Sequence, residues 1–447
     1  MSAFTRRAAL RTGMLGGVAT TFGAHATTAT AATTTVTTTT TVFDIQDYGA
    51  VGDGSTDDTA AIQAALTAAG AVAGSAVVFP PAPGGCYRTS GVSVPGGVGR
   101  LIGESTLFAA DGPAVVSLDG SVLAPLESDT GSLLSIGTSG AGSVVTGNPH
   151  GLTVEGLGFL GTIPSGRTVP DFWAVAVTDT SDVTFVSCRD LYCGAFDYEG
   201  YPEGANGSGG FVAFRSSGTG NAFSVNGRVL FCNSYGAGTF LLADGLSAQY
   251  PGGGSTDGRA VCCQINGHGF GVVLGRDYAG AGGWAVLETH FSSEPGERHI
   301  DYGSTGNSWT LRVEGCYLDV CGDVHIAAYG RGLLAVGNYF RGQANESAIR
   351  FGADLYHEGR DPAAQLVSNT YDLNGNTSAV GFVRFDGFTA AKFAEHGGGE
   401  YRGNLAHNHG AAMPASWVGQ FTGSDAEKIA DTTTATLDLA EGPVLSA

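Results

Sequence analysis

The chain repeats a short β-type segment at intervals that suit the coils of a solenoid. Each segment places an apolar pair before a small or polar residue: LTVEGLGF (152–159), VTFVSCRDL (183–191), VLFCNSY (229–235), AVCCQIN (260–266), AVLETHF (285–291), LRVEGCYL (311–318), LLAVGNYF (333–340) and AQLVSNTY (364–371). Aligned on one column, the segments recur every 22 to 45 residues. Such variable steps favour stacked coils over a propeller, whose blades have a fixed length.

The aligned column predicts how the coils are held together inside. It contains Leu157, Cys188, Asn233, Gln264, His290, Cys316, Asn338 and Asn369. We expect the three asparagines to form an internal ladder of side-chain hydrogen bonds, because stacked identical amides satisfy one another. The 73 glycines fit the same architecture, since each coil needs corners where glycine adopts positive φ at little cost.

A second motif precedes the repeat. Residues 43–66 read FDIQDYGAVGDGSTDDTAAIQAAL, and VVFPP and LIGES follow at 77–81 and 101–105. The pattern predicts strands over 43–45 and 76–79 and, between them, a helix opened by Asp57 and Asp58. Turn and cap chemistry accounts for these aspartates and Asp53. One helical face is apolar: Ile62, Ala65, Leu66 and Ala69.

This motif resembles the N-terminal cap of the pectate-lyase/polygalacturonase superfamily. The resemblance implies an all-β, right-handed parallel β-helix with a short N-terminal capping helix, acting on polysaccharides. It covers about sixty residues and carries no catalytic residue. We expect a signal at 1–26, a Thr/Ala-rich leader at 27–42, the cap and first coils at 43–110, the β-helix at 111–390 and a C-terminal cap or tail at 391–447.

The N-terminal sequence predicts where the protein is located, and its net charge restricts the partners that it can bind. Arg6 and Arg7 precede a weakly apolar run and an Ala-His-Ala site, which resembles a twin-arginine export signal and predicts secretion. With 41 acidic and 21 basic residues the net charge is -20, so we expect no nucleic-acid partner. No apolar run is long enough to predict a membrane span. The eight cysteines are either buried thiols or form one or two disulfides.

Strand alternation supplies the candidate catalytic group. If Leu241, Ala243, Val272, Leu274, Val324 and Ile326 point inward, then Asp197, Leu242, Val273, His299 and His325 share an outer column. His299 and His325 are then about 5 Å apart. Glu297, Asp301 and Asp323 flank them outside, while the same register turns Arg298 inward. Such a group could supply a general acid and base or bind a divalent cation, or it could be an ordinary solvated acidic face.

Other residues are candidates for substrate binding. Asp197, Tyr198, Glu199 and Tyr201 open a long loop, where tyrosines beside carboxylates fit either sugar stacking or packing on the helix wall. Arg276 and Arg331 could meet an acidic sugar or pair with the abundant acids. His268 lies in a Gly-His-Gly like that of polygalacturonases, but the rest of that signature is missing, so we interpret it as a turn residue.

These residues predict a secreted enzyme that cleaves a polysaccharide in an outer groove. We favour a glycoside hydrolase with Asp301 and Asp323 as the acid/base pair, Glu297 assisting, and His299 and His325 orienting or protonating. The alternatives are a calcium-assisted lyase with an arginine base and a non-catalytic carbohydrate-binding β-helix, as in homotrimeric phage tail spikes.

Lysine-based lyases are excluded because both lysines, Lys392 and Lys428, lie near the C-terminus. The Asp-Pro-His signature of alginate epimerases is absent. No cofactor is expected other than calcium for the lyase.

Overall fold

The described part of the chain is built almost wholly from β-strands. The computed structural model describes residues 40–109, 116–126, 131–138, 149–161, 172–191, 209–216, 224–235, 238–245, 254–267, 269–275, 280–292, 298–303, 308–342, 348–352, 364–372, 383–386, 400–402, 404–407 and 420–421. One α-helix, Thr59–Gly70, and one 3-10 helix, Ile45–Tyr48, occur in these ranges.

Three long parallel sheets contain nearly all of the described strands. Sheet A has fourteen: Val42–Asp44, Ser75–Phe79, Val98–Gly103, Thr153–Glu155, Thr184–Val186, Ser224–Val225, Arg228–Leu230, Ser255–Thr256, Arg259–Val261, Ala281–Leu287, Trp309–Glu314, Arg331–Val336, Gln365–Val367 and Glu400–Arg402. Sheet B has eleven: Tyr87–Thr89, Val122–Pro125, Gly158–Leu160, Arg189–Leu191, Asn233–Tyr235, Gln264–Asn266, His290–Ser292, Tyr317–Leu318, Tyr339–Arg341, Thr370–Asp372 and Leu405–His407.

Sheet C also has eleven strands in the described ranges: Val92–Val94, Ser132–Ile136, Phe172–Thr178, Gly209–Ser216, Thr239–Gly245, Phe270–Leu274, Arg298–Tyr302, Val324–Ala328, Ile349–Gly352, Val383–Asp386 and Gln420–Phe421. A short antiparallel hairpin, Ser105–Ala109 with Val116–Gly120, stands outside the three sheets. Each coil contributes one strand to each sheet in turn. The chain is therefore a right-handed parallel β-helix, as the sequence predicted.

The N-terminal cap follows the sequence prediction closely. Ile62, Ala65, Leu66 and Ala69 of the helix are fully buried and join the main core cluster. Asp57 accepts a hydrogen bond from the Thr59 amide, and Asp58 accepts from the amides of the preceding loop. These aspartates therefore perform the turn and cap chemistry expected of them, with Asp58 bonded to the loop and not to the helix.

The internal ladder begins with cysteine and ends with asparagine. Asn338 donates from its Nδ2 to Asn369 Oδ1 at 2.9 Å, and Asn369 donates to Asn404 Oδ1 at 2.9 Å, so the amide ladder is confirmed for Asn338 and Asn369. In earlier coils the same turn position holds thiols that donate to backbone carbonyls: Cys188, Cys232, Cys263 and Cys316.

The predicted column was wrong by one residue in three coils. Asn233, Gln264 and His290 are the first residues of sheet B strands and follow the ladder position, which belongs to Cys232, Cys263 and Thr289. The hydrophobic pattern could not separate the two positions, because the turn and the strand start adjoin.

The coils continue beyond the predicted end of the β-helix. Strands Glu400–Arg402, Leu405–His407 and Gln420–Phe421 extend sheets A, B and C past residue 390. The boundary proposed there is therefore too early. Among the described residues, no helix is both long and apolar enough to span a membrane.

Candidate functional site

The strands of sheet C divide their side chains between the core and an outer face. Five of the six residues predicted to point inward lie in the main core: Leu241, Ala243, Val272, Leu274 and Ile326. The sixth, Val324, is buried but lies outside that core cluster, opposite Arg298 on the neighbouring strand. Leu242 and Val273 fall outside that core and join a separate apolar cluster with Trp173, Ala213 and Phe270. The outer face is thus apolar in these coils.

The two histidines point into the core, which corrects the prediction that they face outward. The His299 ring stacks on Phe291 with centroids 5.3 Å apart, and the His325 ring lies 5.5 Å from that of Phe340. Both histidines are buried, and their Nδ1 atoms are 3.1 Å apart. They adjoin as expected, but on the inner side of the sheet.

The reason is a break in the alternation near the start of these strands. Phe240 and Leu241 are neighbours in sequence, yet both lie in the core. The pairing of the strands places His299 at the position of Phe240, because Thr239 and Leu241 align through Phe270 and Val272 with Arg298 and Ile300. A one-residue register difference moves side chains to the other face.

Arg298 faces outward and organises a charged cluster, which consists of Arg298, Asp301, Asp323 and Arg350. Its Nη1 donates to Asp301 Oδ2 at 2.9 Å and its Nε donates to Asp323 Oδ2 at 2.9 Å. Arg350 contacts both oxygens of Asp323, at 3.0 and 2.8 Å. The inward orientation predicted for Arg298 was wrong, since burying its charge without these carboxylates would be costly.

The members of the charged cluster differ in exposure. The Asp301 side chain is 1% exposed, whereas that of Asp323 is 25% exposed. Burial opposes the charge of Arg298, but the nearby Asp301 and Asp323 carboxylates outweigh it and raise the pKa of the guanidinium. The pKa of Arg350 is raised in the same way by Asp323. Neither arginine is therefore suited to act as a base.

The remaining predicted residues do not join this cluster in the described structure. Arg331 is exposed and begins a strand of sheet A, whereas Asp301 lies in a strand of sheet C and Asp323 directly precedes one. The other candidates lie outside the described residues: Asp197, Tyr198, Glu199, Tyr201, His268, Arg276 and Glu297.

An aromatic cluster on sheet B was missed by the sequence reasoning. It consists of His290, Tyr317, Tyr339, Arg341 and Asp372. The rings of Tyr317 and Tyr339 stack at 5.2 Å, and His290 meets Tyr317 edge-on at 4.8 Å. These three residues follow the ladder position in successive coils, and this recurrence was the available signal.

Charged groups surround the stacked rings. The Tyr339 hydroxyl donates to Asp372 Oδ2 at 2.9 Å, and Arg341 pairs with Asp319 at 3.5 Å. Burial and the bond to Asp372 raise the pKa of Tyr339 to about 12, while burial lowers the pKa of His290. The rings are half-buried, so they offer both an apolar surface and hydrogen-bonding edges, as sugar-binding aromatics do.

Comparisons with known proteins agree with this fold. A family model described as rhamnogalacturonase A/epimerase, pectate lyase-like, matches residues 42–110. The mannuronan C5-epimerase AlgE3 of Azotobacter vinelandii is 42% identical over 81 residues, which are 16% of this chain and 4% of AlgE3. AlgE6 of the same organism is 34% identical over 99 residues, 20% of this chain and 11% of AlgE6. The chain thus spans only a small part of these relatives.

A solved structure matches over most of the chain. The surface protein and adhesin PfbA of Streptococcus pneumoniae has a TM-score of 0.55 at 15% identity, covering 85% of this chain and 97% of PfbA. At this identity the likeness shows the fold alone. Together, the topology and the match over 42–110 confirm the resemblance to the pectate-lyase-like proteins with a right-handed parallel β-helix.

Proposed function

We propose that the protein is a secreted enzyme that binds a polysaccharide across the outer face of sheet C and cleaves its glycosidic bonds there. The observation that carries this proposal is the meeting of Asp301 and Asp323, from successive coils, on the guanidinium of Arg298. Most glycoside hydrolases use a pair of carboxyl groups as their catalytic residues. The polysaccharide-related names of the family model and of the curated relatives support the substrate class.

The two carboxyl groups take different roles because their surroundings differ. Asp323 meets two guanidinium groups and is partly exposed to solvent, so it is assigned to activating the water. Asp301 is almost fully buried, so it is assigned as the acid: when the sugar displaces Arg298, the Asp301 carboxylate takes up a proton from solvent and passes it to the leaving oxygen. Before the sugar binds, Arg298 holds both carboxyl groups in place.

The calcium-assisted lyase fits the charged cluster less well. Both carboxylates already form ion pairs with arginine, so a calcium ion would have to compete with two guanidinium groups for Asp323. The raised pKa values of Arg298 and Arg350 also oppose their use as a base. Among the described residues, the charged cluster therefore does not fit a calcium site.

A second candidate is epimerisation at C5 of a uronate, favoured by the curated relatives. This reaction removes and returns a proton beside a carboxylate, and it needs a base, an acid and a cation. The aromatic cluster contains such groups in His290, Tyr317 and Arg341. The missing Asp-Pro-His signature places this candidate second.

The test is a panel of neutral and acidic polysaccharides offered to the purified protein and to two variants, Asp301→Asn and Asp323→Asn. We expect new reducing ends from the unaltered protein and a loss of about 10²-fold or more in each variant, with binding retained in affinity electrophoresis. Glu155→Gln is the matched control, because Glu155 pairs with Arg100 on sheet A, away from the site.

Three results would contradict hydrolysis, each in favour of another function. Ultraviolet-absorbing unsaturated ends would indicate a lyase. A changed uronate composition by NMR, with no shortening of the polymer, would indicate an epimerase. Binding without any turnover would leave a carbohydrate-binding protein.

A further inference from the structure

Three metal-binding side chains converge inside the β-helix, where the proposed catalysis does not use them. His299, Cys321 and His325 are all buried, and their donor atoms lie within 4.8 Å of one another. We propose that this interior cluster binds one soft transition-metal ion of the copper(I) or zinc class, which joins adjacent coils from within.

The spacing of the donor atoms suits one shared ion. The two Nδ1 atoms are 3.1 Å apart, and His325 Nδ1 is 3.6 Å from the Cys321 sulfur. Bonds of about 2.0–2.1 Å to nitrogen and about 2.3 Å to sulfur, at tetrahedral angles, separate two nitrogens by about 3.4 Å and nitrogen from sulfur by about 3.5 Å. These two pairs need shifts of only a few tenths of an ångström, whereas the donor atoms of His299 and Cys321 are bounded only by the 4.8 Å limit of the cluster. The thiol and the His299 ring must therefore approach each other by up to about 1 Å for one ion to contact all three donors.

The surroundings make these polar groups hard to explain without a ligand. Phe211 and Phe240 occupy the position of His299 three and two coils earlier and pack in the core, while the coils next to the two histidines have Gly271 and Ala348 there. The described coils around the two histidines therefore place only apolar residues or glycine at this position. Here, instead, two imidazoles lie beside Phe291 and Phe340, and the Cys321 thiol lies next to His325 Nδ1. A cluster of three polar groups in an apolar core costs free energy unless the groups are satisfied.

The chemistry of the donors and one outer contact also suit metal binding. Histidine binds metals as neutral imidazole and cysteine as thiolate, so binding must release the proton of the Cys321 thiol. The Val320 backbone hydrogen-bonds the His299 ring, a contact of the type that orients a metal-bound histidine.

The net charge of the occupied site differs between copper(I) and zinc. A thiolate and two neutral imidazoles cancel the charge of Cu⁺ but leave one positive charge with Zn²⁺. An uncompensated charge is costly in an apolar core, and thiolate with imidazole suits Cu⁺. We therefore expect copper(I) to be preferred. Because the site is enclosed, the ion must enter while the coils form, and chelators should remove it only under denaturing conditions.

The experiment measures metal content in the full chain expressed in copper-, zinc- or cobalt-supplemented medium. Elemental analysis should find about one copper or zinc ion per chain, and the cobalt form should show sulfur-to-cobalt charge transfer in the near ultraviolet. Cys321→Ser should reduce the metal content about tenfold or more. Cys316→Ser is the matched control, because Cys316 is a buried thiol that donates to backbone carbonyls and lies in the ladder.

The proposal would be overturned by folded, unaltered protein that carries less than about a tenth of an equivalent of either metal. Equal metal content in the Cys321→Ser and Cys316→Ser variants would overturn it too. Circular dichroism of each variant separates loss of the ion from loss of the fold. Since the charged cluster lies on the other side of the sheet, these results are independent of the polysaccharide assays.

Discussion

At the scale of single residues, the direction of a side chain separates a catalytic histidine from a structural one. The sequence places His299 and His325 together, and strict alternation turns them toward a ligand outside. The structure turns them inward, since two consecutive side chains of this strand face the core. Arg298, one residue earlier, consequently takes the outer face and holds the carboxylates.

The buried histidines predict a loss of stability in acid. The folded-state pKa of His325 is about 3, against an ordinary value of 6.5, so the unfolded chain binds a proton that the folded chain excludes. The stabilisation is complete above the ordinary pKa and declines by about 1.4 kcal/mol per pH unit as the pH falls toward the folded value.

The measurement is urea unfolding, between about pH 7 and about pH 5, of protein that has been unfolded with a chelator and refolded without metal. At the lower pH the His325→Phe variant should lose roughly 2 kcal/mol less than the unaltered protein, because phenylalanine cannot take up a proton. Equal losses in the two proteins would contradict the neutral, buried state assigned to His325. Phe is chosen because Phe211 and Phe240 occupy the same position in earlier coils, and circular dichroism must show that the variant folds.

At the scale of elements, the ladder between sheets A and B holds successive coils in register. Asn338 joins three coils: its Nδ2 donates to Val313 O and Asn369 Oδ1, and its Oδ1 accepts from the Cys316 amide. The thiols of the earlier coils satisfy fewer groups, because a thiol is a weak donor.

Replacing Asn338 with alanine should therefore destabilise the fold. The buried Cys316 amide would lose its acceptor, and we expect the free energy of unfolding to fall by about 2–3 kcal/mol. Asn233→Ala is the control, since Asn233 is half-buried at the start of a strand, and its change should stay within about 0.5 kcal/mol. Comparable losses in both variants would show that the amide ladder has no special role.

At the scale of the whole molecule, stacking and not cross-linking holds the coils together. The main core cluster runs continuously from Ile45 to Val383. The seven described cysteines are all free: Cys86, Cys188, Cys232, Cys262, Cys263, Cys316 and Cys321. The buried-thiol interpretation is thus the one that the structure supports for these cysteines.

A reducing agent should then leave thermal stability unchanged. We expect Tm to shift by less than about 1 °C on reduction. A disulfide of ordinary strength would contribute about 2–4 kcal/mol to stability, so its reduction would lower Tm clearly. Thiol titration of the denatured, unreduced protein should count at least seven thiols. A lower count would show disulfides and contradict the free state.

Local sequence patterns were enough to predict the coil architecture. The helix face from Ile62 to Ala69 and the strand after it appear as predicted, because both depend on short-range periodicity. The repeat predicted the parallel stacking, although it misplaced Asn233 by one residue. Asp301 and Asp323 were also expected to be neighbours on the outer face of the β-helix, and the charged cluster contains both.

The amino-acid sequence by itself determined the winding of the chain, since apolar spacing and glycine corners allow few other ways to bury the strands. Only the tertiary structure decided which face His299 and His325 occupy, because that depends on a change in backbone direction of one residue. The aromatic cluster and the pairing of the two histidines arise for the same reason: residues 22 to 33 positions apart become neighbours only when coils stack in one particular register.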